Sequence, residues 1–193
     1  MDQPLSEPHR LLAAARSWWA TAALTILCLA VYLPGLTGLP TVDRDEARFA
    51  QASRQMAQSH DFKGWVVPMV QDRPRLNKPP AIYWLQASSA RVFTRFTDGA
   101  DEIWMYRVPS VIAALVAVLA TYRAGMVLFD PRAAALGAAM LALCPVIVWE
   151  SRQARADMVL LACCTVALWM AASLWAGRRN VMVCRAVLWA AVA

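Results

Sequence analysis

The chain has 193 residues, of which 60% are apolar and 17% charged, and its net charge is +6. A charged fraction so far below the ~25% of soluble domains excludes both a disordered chain and an ordinary water-soluble globule. The positive charge does not point to nucleic acid, because it is divided between the flanks of apolar runs and one mixed-charge segment. Anionic lipid headgroups are the partner it suits.

In chain order, residues 1–16 carry Arg10 and Arg16 and precede a charge-free run from Ser17 to Val42. No small-x-small cleavage site follows before Pro34, so the run reads as an uncleaved anchor spanning about residues 18–34, with a cytoplasmic tail before it. Further spans are predicted over about 108–128, with Arg123 near one end, 133–149 and 158–177. Each comes close to the ~17–25 residues that cross a hydrocarbon core. A fifth apolar run starts at Val181 and stops at Ala193 without a polar cap, which predicts the N-terminal part of a larger protein. Cys28, Cys144, Cys163, Cys164 and Cys184 all fall within the spans and read as small apolar residues, with no disulfide or zinc spacing. The expected fold class is all-α: a polytopic helical membrane protein with a long loop, about residues 35–107, of amphipathic juxtamembrane helices. The positive-inside rule puts Arg10, Arg16, Arg123, Arg132, Arg178 and Arg179 on the cytoplasmic side. The long loop and the short turn holding Arg152 and Arg155 then face the exterior; loops above ~60 residues are largely exempt from that rule.

Within the long loop, Asp43 suits a helix cap, and Glu46 sits at capping-box spacing from it. From Arg48 to Gln58 one face carries Phe49, Ala52 and Met56, which predicts a short amphipathic interfacial helix. Asp45 then lies in the first turn, where free amides favour its ionised form. It serves there as a general base or cation ligand, or Asp43, Asp45 and Glu46 are all simply first-turn stabilisers. Phe62 to Val70 is predicted to be extended and to hug the membrane. Pro79 and Pro80 then disfavour helix at Lys78 and favour a helix start at Pro80. Only two lysines occur against seventeen arginines, so an ammonium beside Tyr83 and Trp84 reads either as a lipid-phosphate contact or as a snorkelling side chain. The helix Ala81 to Phe96 is predicted to be amphipathic and interfacial rather than spanning, with Ile82, Leu85, Val92, Phe93 and Phe96 as its apolar contacts and Gln86, Arg91 and Arg95 polar. In the second exterior turn, Asp157 opens the fourth span. It is either a helix-start acid paired with Arg155 or a second functional carboxylate on the same side as Asp45.

Four motifs occur in order: Asp45-Glu46-Ala47-Arg48-Phe49-Ala50, Trp65-Val66-Val67-Pro68, Asn77-Lys78-Pro79-Pro80 with Tyr83-Trp84, and Arg107-Val108-Pro109-Ser110. Together, over roughly residues 17–193, they resemble the N-terminal part of bacterial polyprenyl-phosphate-sugar glycosyltransferases of the GT-C fold. These are the lipid A aminoarabinose transferases and their kin among the protein O-mannosyltransferases. The resemblance implies sugar transfer from a polyprenyl-phosphate donor to a lipid or protein acceptor at the periplasmic face of a bacterial inner membrane. It makes Asp45 and Asp157 the catalytic acids and Lys78 the contact to the donor phosphate, and has Arg48 steady Asp45 or the phosphate. Glu46 and Tyr83 join them as substrate-binding positions of the same motifs. Where the aminoarabinose transferases carry an acid used for metal, this chain has Asn77. That argues against a zinc site and leaves a divalent metal open. The competing expectation is a non-catalytic membrane scaffold or lipid-binding subunit; a transporter is disfavoured by the lack of central charges or paired helix breaks.

Overall fold

The computed structural model describes residues 7–59, 61–76, 78–97, 99–177 and 180–192, excluding the side chains of residues 7–16 and 192. In chain order the elements are α1 (Glu7–Tyr32), α2 (Arg44–Gln58), α3 (Phe62–Val66), β1 (Met69–Val70), β2 (Arg73–Pro74), α4 (Ala81–Thr94), α5 (Ile103–Leu128), α6 (Pro131–Leu143), α7 (Pro145–Ser151), α8 (Asp157–Trp175) and α9 (Val181–Val192). The protein is an all-α membrane protein. Among the described residues α5 and α8 are each long and apolar enough to cross a bilayer, and α6 with α7 form a third, broken apolar pair.

The chain divides into two compact units. The first comprises residues 1–31, 115–144 and 163–193, whose described residues are almost wholly helical. Asp130 opens α6: its carboxylate accepts from the Arg132 and Ala133 amides at 2.8 and 3.1 Å. Those backbone bonds, that to Ala133 foremost, hold its carboxyl below the usual range. Gly125 of α5 lies against α6 so tightly that an added Cβ would stand 2.9 Å from the Ala134 backbone, the small-residue contact typical of membrane helices. The predicted continuous span over 133–149 is interrupted at Cys144, whose backbone is extended (φ −61, ψ 123). Pro145 is the cause, since it disfavours helical geometry in the residue before it.

The second unit comprises residues 32–114 and 145–162 and holds all the motif residues. Asp43 caps α2 as expected, its Oδ1 accepting from the Asp45 amide at 2.9 Å. Phe49, Ala52 and Met56 are buried and pack on Ile82, Tyr83 and Ala87 of α4. Arg91 of α4 closes the other end of α2 by donating to the Ala57 and Ser59 carbonyls, both at 2.8 Å. A cation there complements both the orphan carbonyls and the helix dipole.

Two expectations for this unit are corrected. Phe62–Val66 forms a helical turn rather than an extended strap, and only Met69–Val70 pairs, antiparallel, with Arg73–Pro74. The face of α4 is also different from the one predicted. Gln86 is fully buried while Leu85, Val92 and Phe96 are 46%, 51% and 79% exposed. Gln86 accepts a 2.7 Å bond from Ser53 of α2, so the α2–α4 seam holds a polar pair among the apolar contacts of Phe49, Met56, Ile82 and Tyr83. Leu85, Val92 and Phe96 are left outward, where lipid rather than water is an acceptable neighbour.

Proline inside α5 shows how the unit compensates its own irregularities. Pro109 has no N–H, which orphans the carbonyl of buried Met105 one turn earlier. The Ser89 hydroxyl of α4 donates to that oxygen at 2.7 Å. One hydrogen bond thus repairs the helix and ties α4 to α5.

Candidate active site

The site is organised by a buried clamp. Arg107 and Glu46 are both fully buried, and their ion pair is 2.7 Å. Arg107 Nε donates to Glu46 Oε1 at 2.7 Å, and Nη2 donates to Glu46 Oε2 and the Pro40 carbonyl at 3.2 and 3.3 Å. Nη1 donates to the Leu36 and Leu39 carbonyls at 3.0 and 2.7 Å. These bonds use all five guanidinium N–H groups. Glu46 Oε1 also accepts from the Ala154 amide at 3.0 Å. One pair therefore joins the segment after α1, the start of α2, the start of α5 and the turn before α8.

Glu46 is thereby removed from the two roles the sequence suggested. It does not reach back to complete a capping box, and both its oxygens are committed inside the unit rather than offered to a substrate. The same correction applies to Tyr83. Its ring is buried and stacked on Phe49 with centroids 5.5 Å apart, and its hydroxyl accepts from Arg75 Nε at 3.0 Å. Burial raises the Tyr83 pKa above the usual phenol value, partly opposed by the hydrogen bond and charge of Arg75.

Asp45, by contrast, is exposed at the head of α2. Arg48 Nη1 lies 3.8 Å and Arg75 Nη2 3.9 Å from its Oδ1. Both distances exceed those of a charge-assisted hydrogen bond, so the carboxylate is flanked by cations and not saturated by them. Arg75 is the residue the sequence did not single out. Its guanidinium lies 4.9 Å over the Phe49 ring, and its amide bonds to the Pro68 carbonyl at 2.8 Å, extending the hairpin. That hairpin is fixed to α2 in turn. Gln71, at φ 57, donates its N–H to Gln55 at 3.0 Å and accepts from the same amide side chain at 3.2 Å. Clamping both backbone groups holds a non-glycine residue in the left-handed region it otherwise avoids.

Arg155 ties the second acid to the first helix. It pairs with Asp43 and Glu150 through Nη1 at 3.3 and 3.1 Å, and with Asp157 through Nε at 3.1 Å. Asp157 opens α8 and remains half-exposed. Two residues before Asp45, Asp43 thus shares an arginine with Asp157, which links the starts of α2 and α8. Lys78 is exposed and forms no ion pair among the described residues. Asn77, Arg178 and Arg179 lie outside the described residues. Among the described residues no group of three or more His, Cys, Asp or Glu side chains is arranged to hold a metal ion. Asp43, Glu150 and Asp157 instead share the Arg155 guanidinium.

The dolichyl-phosphate-mannose-protein mannosyltransferase family matches residues 77–193, well over half of the chain. The chain belongs to this family. Its relatives include undecaprenyl phosphate-alpha-4-amino-4-deoxy-L-arabinose arabinosyl transferases. That of Photorhabdus laumondii is 27% identical over 65% of the chain and 21% of its own length. That of Pectobacterium atrosepticum is 30% identical over 67% of the chain and 22% of its own length. That of Pseudomonas savastanoi is 35% identical over 56% of the chain and 19% of its own length. The chain thus spans about a fifth of the length of these relatives. No solved structure matches it. The family match covers Lys78, Tyr83, Arg107 and Asp157, whereas Asp45, Glu46 and Arg48 precede it.

Proposed function

We propose that this chain forms part of a glycosyltransferase that moves a sugar from a polyprenyl-phosphate carrier to a lipid or protein acceptor. The reaction takes place at the periplasmic face of a bacterial inner membrane. The observation that carries the reading is the exposed Asp45 carboxylate. It is set on a rigid unit between two loosely paired arginines, with Asp157 tied to the same helix start through Arg155. Family membership and the relatives' printed activity support the donor chemistry.

In this reading the acceptor hydroxyl oxygen attacks the anomeric carbon as the bond from that carbon to the phosphate oxygen breaks. The departing polyprenyl phosphate keeps the bonding electron pair, and Lys78, exposed and without an ion-pair partner among the described residues, complements its charge. Asp45 accepts the hydroxyl proton. Arg48 and Arg75 position Asp45, Asp157 orients the acceptor, and Glu46 and Tyr83 act from inside the unit.

The test is Asp45→Asn in the complete protein, assayed in right-side-out membrane vesicles with labelled donor supplied from outside. Transfer should fall by about 10²- to 10⁴-fold, the usual worth of a general base, with unchanged thermal unfolding. Near-normal turnover would remove Asp45 from the chemistry. Transfer seen only with inside-out vesicles would overturn the assigned face.

A further inference from the structure

Three carboxylates share Arg155, and they do not share it equally. Among the described residues its guanidinium donates one hydrogen bond to a carboxylate, from Nη1 to Glu150 Oε1 at 3.1 Å. Asp43 Oδ2 lies 3.3 Å from the same nitrogen and Asp157 Oδ2 3.1 Å from Nε, both as ion pairs rather than aligned hydrogen bonds. An arginine beside a carboxylate frequently closes on it through two parallel N–H groups, the strongest arrangement open to the pair. Arg155 does not close on Asp157 in this way. Asp157 is neutralised in part while its carboxylate, 46% exposed, stays open.

Glu150, the penultimate residue of α7, holds Arg155 at a cost to itself. Its Oε2 is buried and has no hydrogen-bond partner among the described residues. A buried carboxylate oxygen left bare is destabilising, so its presence calls for a reason other than stability. The backbone around Arg155 is fixed as well. The Ala154 N–H donates to Glu46 Oε1 at 3.0 Å, and the Ser110 hydroxyl donates to the Arg155 carbonyl at 3.4 Å. With the backbone held from α2 and α5, the bond to Glu150 sets which way the guanidinium faces.

We propose that Glu150 is a positioning residue: by holding Arg155 Nη1 it keeps Arg155 from closing on Asp157 and leaves that carboxylate open to a substrate hydroxyl. The role given to the hydroxyl rests on the sugar-transfer reading, in which Asp157 orients the acceptor. The hold of Glu150 on Arg155 stands without it.

The experiment compares Glu150→Ala, Glu150→Gln and the double variant Glu150→Ala/Arg155→Lys with the wild type, each as the complete protein. The first readout needs no sugar transfer: carbodiimide coupling of glycine ethyl ester to the native protein in detergent micelles, followed by trypsin and mass spectrometry. Cleavage after Arg155 and Arg178 leaves Asp157 as the only carboxyl side chain in the peptide of residues 156–178. In Glu150→Ala the released guanidinium closes on Asp157, and its labelling should slow about two- to fivefold, the range for an ion pair that is partly exposed. Glu150→Gln keeps a carbonyl acceptor for Nη1 and should label close to the wild-type rate. The double variant should also label near that rate, because lysine has no fork with which to close. The second readout is transfer. The acceptor KM should rise by a similar factor in Glu150→Ala and recover in Glu150→Gln, with little change in kcat. Unchanged or faster labelling of Asp157 in Glu150→Ala, as unfolding would also give, overturns the proposal, and so do equal losses in the Ala and Gln variants. The expected labelling pattern in a wild type that transfers no sugar would support the hold on Arg155 and count against the sugar-transfer reading alone.

Discussion

The Arg107–Glu46 clamp makes a quantitative demand on stability. Replacing Arg107 by Lys keeps the charge but reduces five N–H donors to three. Arg107 serves five acceptor contacts, two on Glu46 and one each on the Leu36, Leu39 and Pro40 carbonyls, so at least two go unsatisfied. Each buried polar group left without a partner costs roughly 1–3 kcal/mol, giving about 2–6 kcal/mol for Arg107→Lys. The Ala154 amide is a built-in reporter, since its acceptor is Glu46 Oε1. At about 1.4 kcal/mol per decade, a loss of about 3 kcal/mol speeds exchange of that amide by about a hundredfold. Hydrogen-exchange mass spectrometry in lipid nanodiscs reads the peptide containing Ala154, with a peptide from the middle of α8 as internal control. Glu46→Gln should act similarly, because it leaves the buried Arg107 cation without its counter-charge, at about 3–5 kcal/mol. Replacing both partners by apolar residues is often neutral for a buried ion pair. Here it should remain destabilising, because three carbonyls and the Ala154 N–H lose their partners too. Exchange in Arg107→Lys within about threefold of the wild type would refute the argument, a shift well below the single decade expected for about 1.4 kcal/mol.

Two further outcomes follow from hydrogen bonds in the same unit. Ser89→Ala should cost about 1–3 kcal/mol by orphaning the Met105 carbonyl, measured by thermal unfolding in detergent. With Pro109→Ala in the background the cost should shrink, since that substitution restores the missing N–H, and an equal cost in both backgrounds counts against the repair. Tyr83 has a folded-state pKa raised above the unfolded value of about 10, so its contribution is fully present below about pH 10 and is lost as pH rises through the folded value. Tyr83→Phe should therefore flatten the fall of the melting temperature between about pH 9 and 11, and an unchanged alkaline slope would show that another group titrates.

How much of this is legible in the sequence depends on the range of the interaction. The Asp43 cap, the Phe49–Ala52–Met56 stripe and the helix beginning after Pro80 are all set within a few residues of chain, and each reads directly. The partner of Glu46 does not. Arg107 lies 61 positions away, and the local spacing offers a capping box with the wrong partner. The one signal for Arg107 is its place in the Arg107–Ser110 motif, to which the sequence alone attaches no role. The face of α4 is misread at Gln86, assigned to the polar side of an interfacial helix but buried against Ser53, a partner 33 positions away.

Arginine is the commonest charged residue here, and its identity alone carries little information; what separates the arginines is whether their donors are filled. Arg107 has every N–H bonded and full burial, so it fixes backbone. Arg91 caps a helix end through two carbonyls, and Arg155 spreads over three carboxylates to link the starts of α2 and α8. Arg75 is different: its ring contact and single bond to Tyr83 hold it in place while most of its donors stay unused. Arg107 and Arg75 nonetheless meet in one element: the first holds the start of α2 through Glu46, and the second is braced by Phe49 of the same helix.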